Sequence, residues 1–322
     1  MEGVMKKKPI ILVAMLILLL GACRPAPAKL QSKALDETPR ILVMSAFDAE
    51  TSALIQRAED ITIVTAGGRT FTLGRLGGKD VVIAQSGISM VNAAMTTQAA
   101  VDYFNLTAIV FSGIAGGVNP ALHIGDVVVP AEWGQHLESV FARQKGDAWD
   151  PRPFKSDYGN FGMIFPQPVE VLRPGTSSAV SDQIFWFKSD SSMLKAAEKL
   201  IDQVTLDRCW LKIECLSTQP QLVMGGRGVS GPVYVDNASY REWLYQNFQA
   251  DAVDMETAAV AQVAYVNQLP FLGFRSLSDL AGGSAGPNEI LVFGNLAANN
   301  AAVVVTAFLE IWSGPEILPT AQ

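Results

Sequence analysis

Short apolar runs alternate along this chain with segments in which small apolar residues recur at helical spacing. The runs at 40–45, 71–76, 80–85, 108–111, 127–130 and 272–277 predict buried strands, and the segments at 48–58, 90–104 and 255–267 predict helices. No second domain boundary interrupts the pattern, and about 280 residues are enough for one well-buried core. The sequence therefore predicts a single α/β domain.

The amino-terminal segment predicts export. Three lysines at 6–8 precede an apolar run from Pro9 to Leu20, which is shorter than a bilayer-spanning helix and has the charged start of a secretory leader. The run ends in Leu20-Gly21-Ala22-Cys23, which resembles the bacterial lipobox. The resemblance implies cleavage of residues 1–22, a lipid on Cys23 and a membrane-anchored protein outside the cytoplasm. The alternative is a plain amino-terminal anchor with an incidental cysteine.

Three further segments bear on the organisation of the chain. Residues 23–39 are rich in proline, alanine and charge, so we interpret them as a tether to a domain that spans 40–315. From 133 to 186 the chain is aromatic and proline-rich, which is typical of a functional cover or a partner surface. Cys209 and Cys215 are expected either to form a disulfide, which persists outside the cytoplasm, or to remain two buried thiols.

Composition narrows the choice of ligand. The net charge is −7 with scattered lysine and arginine, which argues against a nucleic-acid groove and favours a small neutral or zwitterionic ligand. The two histidines, His123 and His136, are not closely spaced, so we predict no metal site. We also predict no bound cofactor, because the chain has neither a dinucleotide fingerprint nor a Walker loop.

Carboxylates beside apolar runs are the strongest chemical signal. Val253-Asp254-Met255-Glu256 is followed by Arg275-Ser276-Leu277-Ser278-Asp279, and an ionisable group is costly in such a setting unless it is paired or used. We expect Asp254 to cap the helix that starts at Met255. Asp279 is expected just past the carboxyl end of a strand, where ligands bind in open α/β sheets. Glycines 113, 116 and 117 either let backbone amides approach a ligand or mark a tight turn.

Four motifs occur together in the order of one known superfamily. They are Ser86-Gly87-Ile88, Gly113-Ile114-Ala115-Gly116-Gly117, Ile124-Gly125-Asp126, and Val-Asp-Met-Glu at 253–256 with Ser-Asp at 278–279. From Arg40 to Trp312 the chain thereby resembles nucleoside phosphorylases and nucleosidases, especially methylthioadenosine/S-adenosylhomocysteine nucleosidases and longer relatives that include plant bark storage proteins. The resemblance implies a three-layer, phosphorylase/hydrolase-like fold with a central mixed, twisted sheet, and a homodimer.

The same resemblance implies roles for individual residues. Asp279 corresponds to the acid that reaches N7 and the exocyclic amine of a purine, with Ser278 holding it, and Glu50 corresponds to the carboxylate that activates water. Glu256 would accept from the ribose hydroxyls. The remaining expected substrate contacts are Met255 under the sugar, Tyr234 stacked on the base, Ile88 and Ile114 along the sugar and 5′ region, and Gly116 in the glycine cluster. Bacterial nucleosidases more often have a serine at the position of Ile114, which leaves the contacts there open.

Each of these residues also has a structural explanation. Asp279, Glu50 and Glu256 could each cap a helix or stabilise its first turn through the helix dipole. Tyr234 could be a core aromatic and Met255 could fill a gap in the packing. For Arg275 an internal salt bridge competes with a ligand role.

The expected reaction is hydrolysis of the N-glycosidic bond of adenine nucleosides such as 5′-methylthioadenosine or S-adenosylhomocysteine. Phosphorylase relatives place arginines after strand one and before the glycine cluster, whereas here residues 45–50 and 110–112 contain none, and Glu50 would repel phosphate. The alternatives are a phosphate-dependent purine nucleoside phosphorylase and a non-catalytic nucleoside-binding or storage lipoprotein.

Overall fold

The computed structural model describes residues 35–172 and 180–314, so the predicted leader and Cys23 lie outside the described residues. Within these ranges the helices are α1 (Asp48–Ile55), α2 (Met90–Tyr103), α3 (Ser191–Glu198), α4 (Ala238–Phe248), α5 (Thr257–Asn267) and α6 (Ile290–Ile311).

One large sheet and several hairpins contain the strands of the described ranges. The large sheet has twelve strands there: β1 (Asp36–Ser45), β2 (Glu59–Ala66), β3 (Arg69–Leu76), β4 (Lys79–Gln85), β5 (Phe104–Gly117), β6 (Val127–Val129), β7 (Glu132–Gln135), β14 (Trp186–Lys188), β17 (Leu222–Met224), β18 (Arg227–Ser230), β19 (Ala250–Asp254) and β20 (Phe271–Asp279). The two-stranded sheets pair β8 (Ser139–Phe141) with β11 (Ile164–Pro166), β9 (Arg143–Lys145) with β10 (Ala148–Asp150), β12 (Val169–Leu172) with β13 (Ser181–Ile184), and β15 (Cys209–Trp210) with β16 (Glu214–Cys215).

The large sheet is mixed, as predicted. Its strand order is β14-β7-β18-β19-β5-β1-β4-β3-β2, and β20 lies between β5 and β6, with β17 beside β6. The strands β4, β1, β5 and β20 run parallel to one another, and β2 and β3 run antiparallel to their partners. β19 runs antiparallel to β5 and parallel to β18. The carboxyl ends of four central strands therefore lie at the same end of the sheet, where ligands bind in such folds.

Helices cover both faces of the sheet, which explains the continuous apolar runs of the central strands. In β1, Ile41 and Val43 point into a core shared with α1 and α6, while Leu42 and Met44 point into a second core shared with α2 and α5. Among the described helices α6 alone is long and apolar enough to span a bilayer by composition, and it packs here against the sheet through contacts such as Phe308 on Phe274. The domain is thus three-layered.

Several element boundaries differ from the expectations. β1 begins at Asp36, inside the segment interpreted as a tether, where the Asp36 carboxylate pairs with Arg40. β5 continues from Phe104 through Gly117, so the glycine cluster is the end of a strand and not a turn. α5 begins at Thr257 instead of Met255, although the Asp254 carboxylate still accepts the N–H groups of Glu256 and Thr257. Asp279 is the last residue of β20 instead of the residue beyond it.

Several aromatic rings in the described part of the segment at 133–186 pack against α4. Phe161 packs edge-on against Tyr240 of α4, and Phe185 stacks on Phe248 at the end of α4. Trp186 donates its indole N–H to the hydroxyl of Tyr158 over 2.8 Å. These rings brace α4, whereas other residues of the segment, such as Phe141 and Phe154, are exposed.

The structure joins Cys209 and Cys215 in a disulfide that closes the β15–β16 hairpin, with 4.0 Å between the two Cα atoms. Of the two alternatives left by the sequence, the structure has the bridged form. Disulfides of this kind persist in oxidising environments.

Candidate functional site

A pocket opens at the carboxyl ends of β1, β5 and β20. It brings together all nine positions that the sequence singled out for catalysis and substrate binding, which are Glu50, Ile88, Ile114, Gly116, Tyr234, Met255, Glu256, Ser278 and Asp279. Glu50 belongs to α1 and Glu256 immediately precedes α5, whereas Ser278 and Asp279 end β20. The rest of the lining is almost entirely apolar.

A buried arginine organises one side of the pocket. Arg275 on β20 has no exposed surface, and its guanidinium meets Asp254 at 2.7 Å, Glu256 at 3.4 Å and Glu50 at 3.7 Å. We call Arg275 and these three carboxylates the Arg275 cluster. The guanidinium also lies 4.1 Å from the centre of the Phe111 ring. Of the two roles left open for Arg275, the structure has the internal salt bridge, since every polar edge of its guanidinium faces protein groups.

Gly113 makes room for the Arg275 cluster. It lies opposite Arg275 in the pairing of β5 with β20. A Cβ atom at Gly113 would collide with the guanidinium of Arg275 and the carboxylate of Glu50. The backbone of Gly113 is not in the left-handed region, so the requirement here is close approach and not unusual torsion angles.

The Glu50 carboxylate is fixed by backbone amides. Its Oε2 accepts the N–H of Ala46 at 2.6 Å and its Oε1 accepts the N–H of Ile114 at 2.7 Å. Burial raises the pKa of Glu50, while Arg275 and the two amides oppose that rise. Glu50 is therefore an oriented carboxylate with a raised proton affinity, which are the properties required of a general base.

Glu256 is held in a similar way. Its Oε1 accepts the N–H of Ser89, and its Oε2 faces Arg275. Burial, partly offset by Arg275, raises the pKa of Glu256 to about 7. Asp254 connects this corner to α5 and β18, because it accepts hydrogen bonds from the hydroxyls of Thr257 and Ser230. These contacts fix the first turn of α5 at the pocket wall.

Asp279 occupies a different environment, in which neutral donors replace the guanidinium. Its Oδ2 accepts the hydroxyl of Ser278 at 2.8 Å, and its Oδ1 accepts the N–H of Ala281 at 2.8 Å and the amide of Asn288 at 3.3 Å. Burial raises the pKa of Asp279, and these three hydrogen bonds oppose the rise. The nearest glycine, Gly116, has no Cβ that would press on Oδ1.

Apolar side chains form the pocket's walls and mouth. Met255 and Ile114 lie beside the Arg275 cluster, and the half-exposed Tyr234 and Ile88 stand at the rim. Burial, together with the negative charges of Asp279, Asp236 and Glu289, raises the pKa of Tyr234, so its hydroxyl stays protonated at neutral pH.

Sequence reasoning missed part of the site. Phe47, Val233 and Val235 also line the pocket, and so does Ile290 at the start of α6. Phe47 sits between strand one and Glu50, a position that could have been inferred. Nothing in the local sequence signals Ile290 or the nearby Asn288, because only the path of the chain after β20 brings them to the pocket.

Comparisons with known proteins identify the family of this chain. Residues 40–310 match the family model of the phosphorylase superfamily. The chain is 30% identical over 245 residues to a 5′-methylthioadenosine/S-adenosylhomocysteine nucleosidase of Bacillus cereus (strain G9842), which covers 76% of this chain and 87% of that protein. It is 26% identical over 279 residues to bark storage protein A of Populus deltoides, with 83% and 86% covered.

A similar solved structure is the 5′-methylthioadenosine/S-adenosylhomocysteine nucleosidase from Neisseria meningitidis in complex with methylthio-immucillin-A. It has a TM-score of 0.62 and 26% identity, and the match covers 84% of this chain and 98% of that one. The family model spans most of the chain, and the fold agrees with that of the similar solved structure. This chain belongs to the phosphorylase superfamily.

Proposed function

We propose that this protein hydrolyses the N-glycosidic bond of purine nucleosides, and that its substrates are adenine nucleosides such as 5′-methylthioadenosine or S-adenosylhomocysteine. The observation that carries the proposal is the distribution of acids in one apolar pocket. Glu50 and Glu256 contact the cation Arg275, whereas Asp279 is held by neutral donors. The nucleosidases to which the chain is similar support the choice of substrate class.

Each acid has a task in this reaction. Cleavage of the bond between C1′ and N9 leaves an oxocarbenium-like sugar and a basic purine. Asp279 gives its proton to N7 of the departing base, while Glu50 takes a proton from the water whose oxygen bonds to C1′. Glu256 accepts hydrogen bonds from the ribose hydroxyls. Asp279 must therefore be protonated when it acts and Glu50 must be ionised. Their partners favour this difference, because Glu50 faces the cation Arg275 and Asp279 faces only neutral donors.

The charges at the pocket favour water over phosphate as the nucleophile. A phosphorylase needs cationic side chains aimed at the phosphate dianion. Among the described lining residues none is Lys, Arg or His. Arg275 lies behind the wall and is engaged by three carboxylates, and Glu50 would repel an anion. Hydrolysis is the reaction that these charges support.

A non-catalytic nucleoside-binding or storage protein is the second candidate, because the chain is also similar to a bark storage protein. A binder needs the base and ribose contacts but no carboxylate to activate water. The buried and oriented Glu50 supports the enzyme over the binder.

We further propose that the protein is exported, anchored through lipid on Cys23, and homodimeric. The disulfide between Cys209 and Cys215 supports an oxidising compartment. Ile88, Val91 and Met95 are 54%, 69% and 51% exposed, and their spacing gives one apolar face near the start of α2 that a second copy would cover.

Intact mass of the purified protein is expected to show a lipid on Cys23, and light scattering is expected to show a dimer. An unmodified cysteine or a monomer would refute the corresponding claim.

The decisive assay measures release of free base from a panel of nucleosides with and without phosphate. We expect adenine to form from 5′-methylthioadenosine or S-adenosylhomocysteine at the same rate in phosphate-free buffer, because water is the nucleophile. Strict phosphate dependence would identify a phosphorylase. Saturable binding without any product after long incubation would identify a binder.

Asp279→Asn is expected to lower turnover by about two orders of magnitude or more, because an amide cannot deliver a proton to the base. The variant keeps the size of the side chain, so unfolding measurements should match the wild type. Asp102→Asn on the exposed end of α2 is the matched control and should retain full activity. Near-normal turnover of Asp279→Asn would remove the assignment of Asp279 as the acid.

Glu50→Gln is expected to lower turnover by about 10²–10⁴-fold, since glutamine cannot take a proton from water. Binding of a non-hydrolysable nucleoside analogue, followed by calorimetry, should persist. Asp48→Asn is the control, because Asp48 is an exposed acid in the same first turn of α1. Equal losses in the two variants would mean that Glu50 acts only through the helix.

A further inference from the structure

The two carboxylate oxygens of Asp279 have unequal surroundings. Oδ1 faces two N–H donors, the backbone of Ala281 at 2.8 Å and the side-chain amide of Asn288 at 3.3 Å. Oδ2 has one described partner, the hydroxyl of Ser278 at 2.8 Å. A hydrogen atom on Oδ1 would point at groups that can only donate, so Oδ1 can act only as an acceptor.

The Ser278 hydroxyl lets Oδ2 take up a proton. Its oxygen also lies 3.3 Å from the carbonyl oxygen of Ala115, which is a second acceptor for the same hydrogen. When Oδ2 is protonated, the hydroxyl can turn towards Ala115 and cease to donate to Asp279. A hydroxyl can make this change by rotation, whereas the Ala281 N–H cannot.

The orientation of the Asn288 amide is fixed by its neighbours. Its carbonyl oxygen accepts the N–H of Ile290 at 3.0 Å, so its NH₂ group faces the acids. That group is shared between Asp279 and Asp236, which lies at 3.1 Å. Asn288 thereby links the residues before α6 to the segment before α4, at the end of the pocket where Asp279 lies.

We propose that Asn288 is a positioning residue which, with the Ala281 N–H, commits Oδ1 of Asp279 to accepting hydrogen bonds and makes Oδ2 the oxygen that delivers the proton to the purine. This inference rests on the proposed nucleosidase reaction and deepens it. Asn288 acts through Asp279, and its own amide exchanges no proton.

The charged groups around Asp279 give the sign of the expected effect. Asp236, Glu289 and the phenol of Tyr234 are its ionisable neighbours, and the Arg241 side chain of α4 donates to the carbonyl of Gly117. The Asn288 amide is thus among the few groups that stabilise the ionised carboxylate. Removing the amide raises the pKa of Asp279 further, so the protonated acid survives to higher pH.

The test is the pH profile of kcat for wild type, Asn288→Ala and Asn288→Asp. Turnover needs protonated Asp279 and is lost as pH rises through its pKa. In Asn288→Ala we expect the plateau value of kcat to fall about two- to tenfold, because one hydrogen bond is lost. We also expect the decline of kcat at high pH to occur at a higher pH than in the wild type. Asn288→Asp keeps an acceptor for the Ile290 N–H but adds a carboxylate near Asp279. The decline of its kcat should therefore occur at a still higher pH.

Asn299→Ala is the matched control, because Asn299 lies on α6 and contacts Arg57 and Asp207 away from the pocket. Its profile should overlay that of the wild type. A carboxyl titration of Asp279 by ¹³C NMR should show the same upward shift in Asn288→Ala without any need for turnover. If wild type releases base and the Asn288 profiles are unshifted, or shift equally in Asn299→Ala, the inference is overturned while the nucleosidase proposal stands. A wild type that releases no base overturns both.

Discussion

The burial of Arg275 is the constraint on which the rest of the site depends. A guanidinium removed from water costs several kcal/mol unless it is paired and hydrogen-bonded. Here it has no exposed surface and is met by Glu50, Asp254 and Glu256, which come from α1, β19 and the residue preceding α5. Each carboxylate is held in place by the same cation, so three chain segments are fixed relative to β20. The acidic side chains that these segments contribute to the pocket are therefore held in fixed positions.

The charges of the Arg275 cluster give Glu50 and Glu256 a different tendency to be protonated from that of Asp279. Three carboxylates surround one guanidinium, and burial raises the pKa of both Glu50 and Glu256. Arg275 offsets part of that rise and favours their ionised forms. Asp279 receives its stabilisation from a hydroxyl and two N–H groups, which leave it closer to protonation than a salt bridge would. In the proposed reaction, one pocket would thus present a carboxylate to water and a carboxylic acid to the leaving base.

The sequence predicts much of this site because its key acids stand directly beside apolar strands. Glu50 follows the apolar run of β1, and Asp279 ends that of β20. What it does not predict depends on tertiary structure. The helix α6 is apolar on its exposed side as well as on its buried side, as at the exposed Leu291, so composition alone does not mark its inward face. The role of Asn288 depends on where the chain returns after β20, which no local pattern encodes.

The end of β5 is the element that contacts both kinds of acid in the pocket. In its pairing with β20, Gly113 lies opposite Arg275 and Gly116 lies opposite Asp279. A glycine in a strand weakens it, because the residue loses more backbone freedom on folding and has no side chain to pack. At Gly113 a side chain would expel the guanidinium or Glu50, and at Gly116 it would crowd Asp279. The missing side chains therefore allow the salt-bridged Glu50 and the Asp279 carboxyl, which is held by neutral donors, to lie at the end of the same strand.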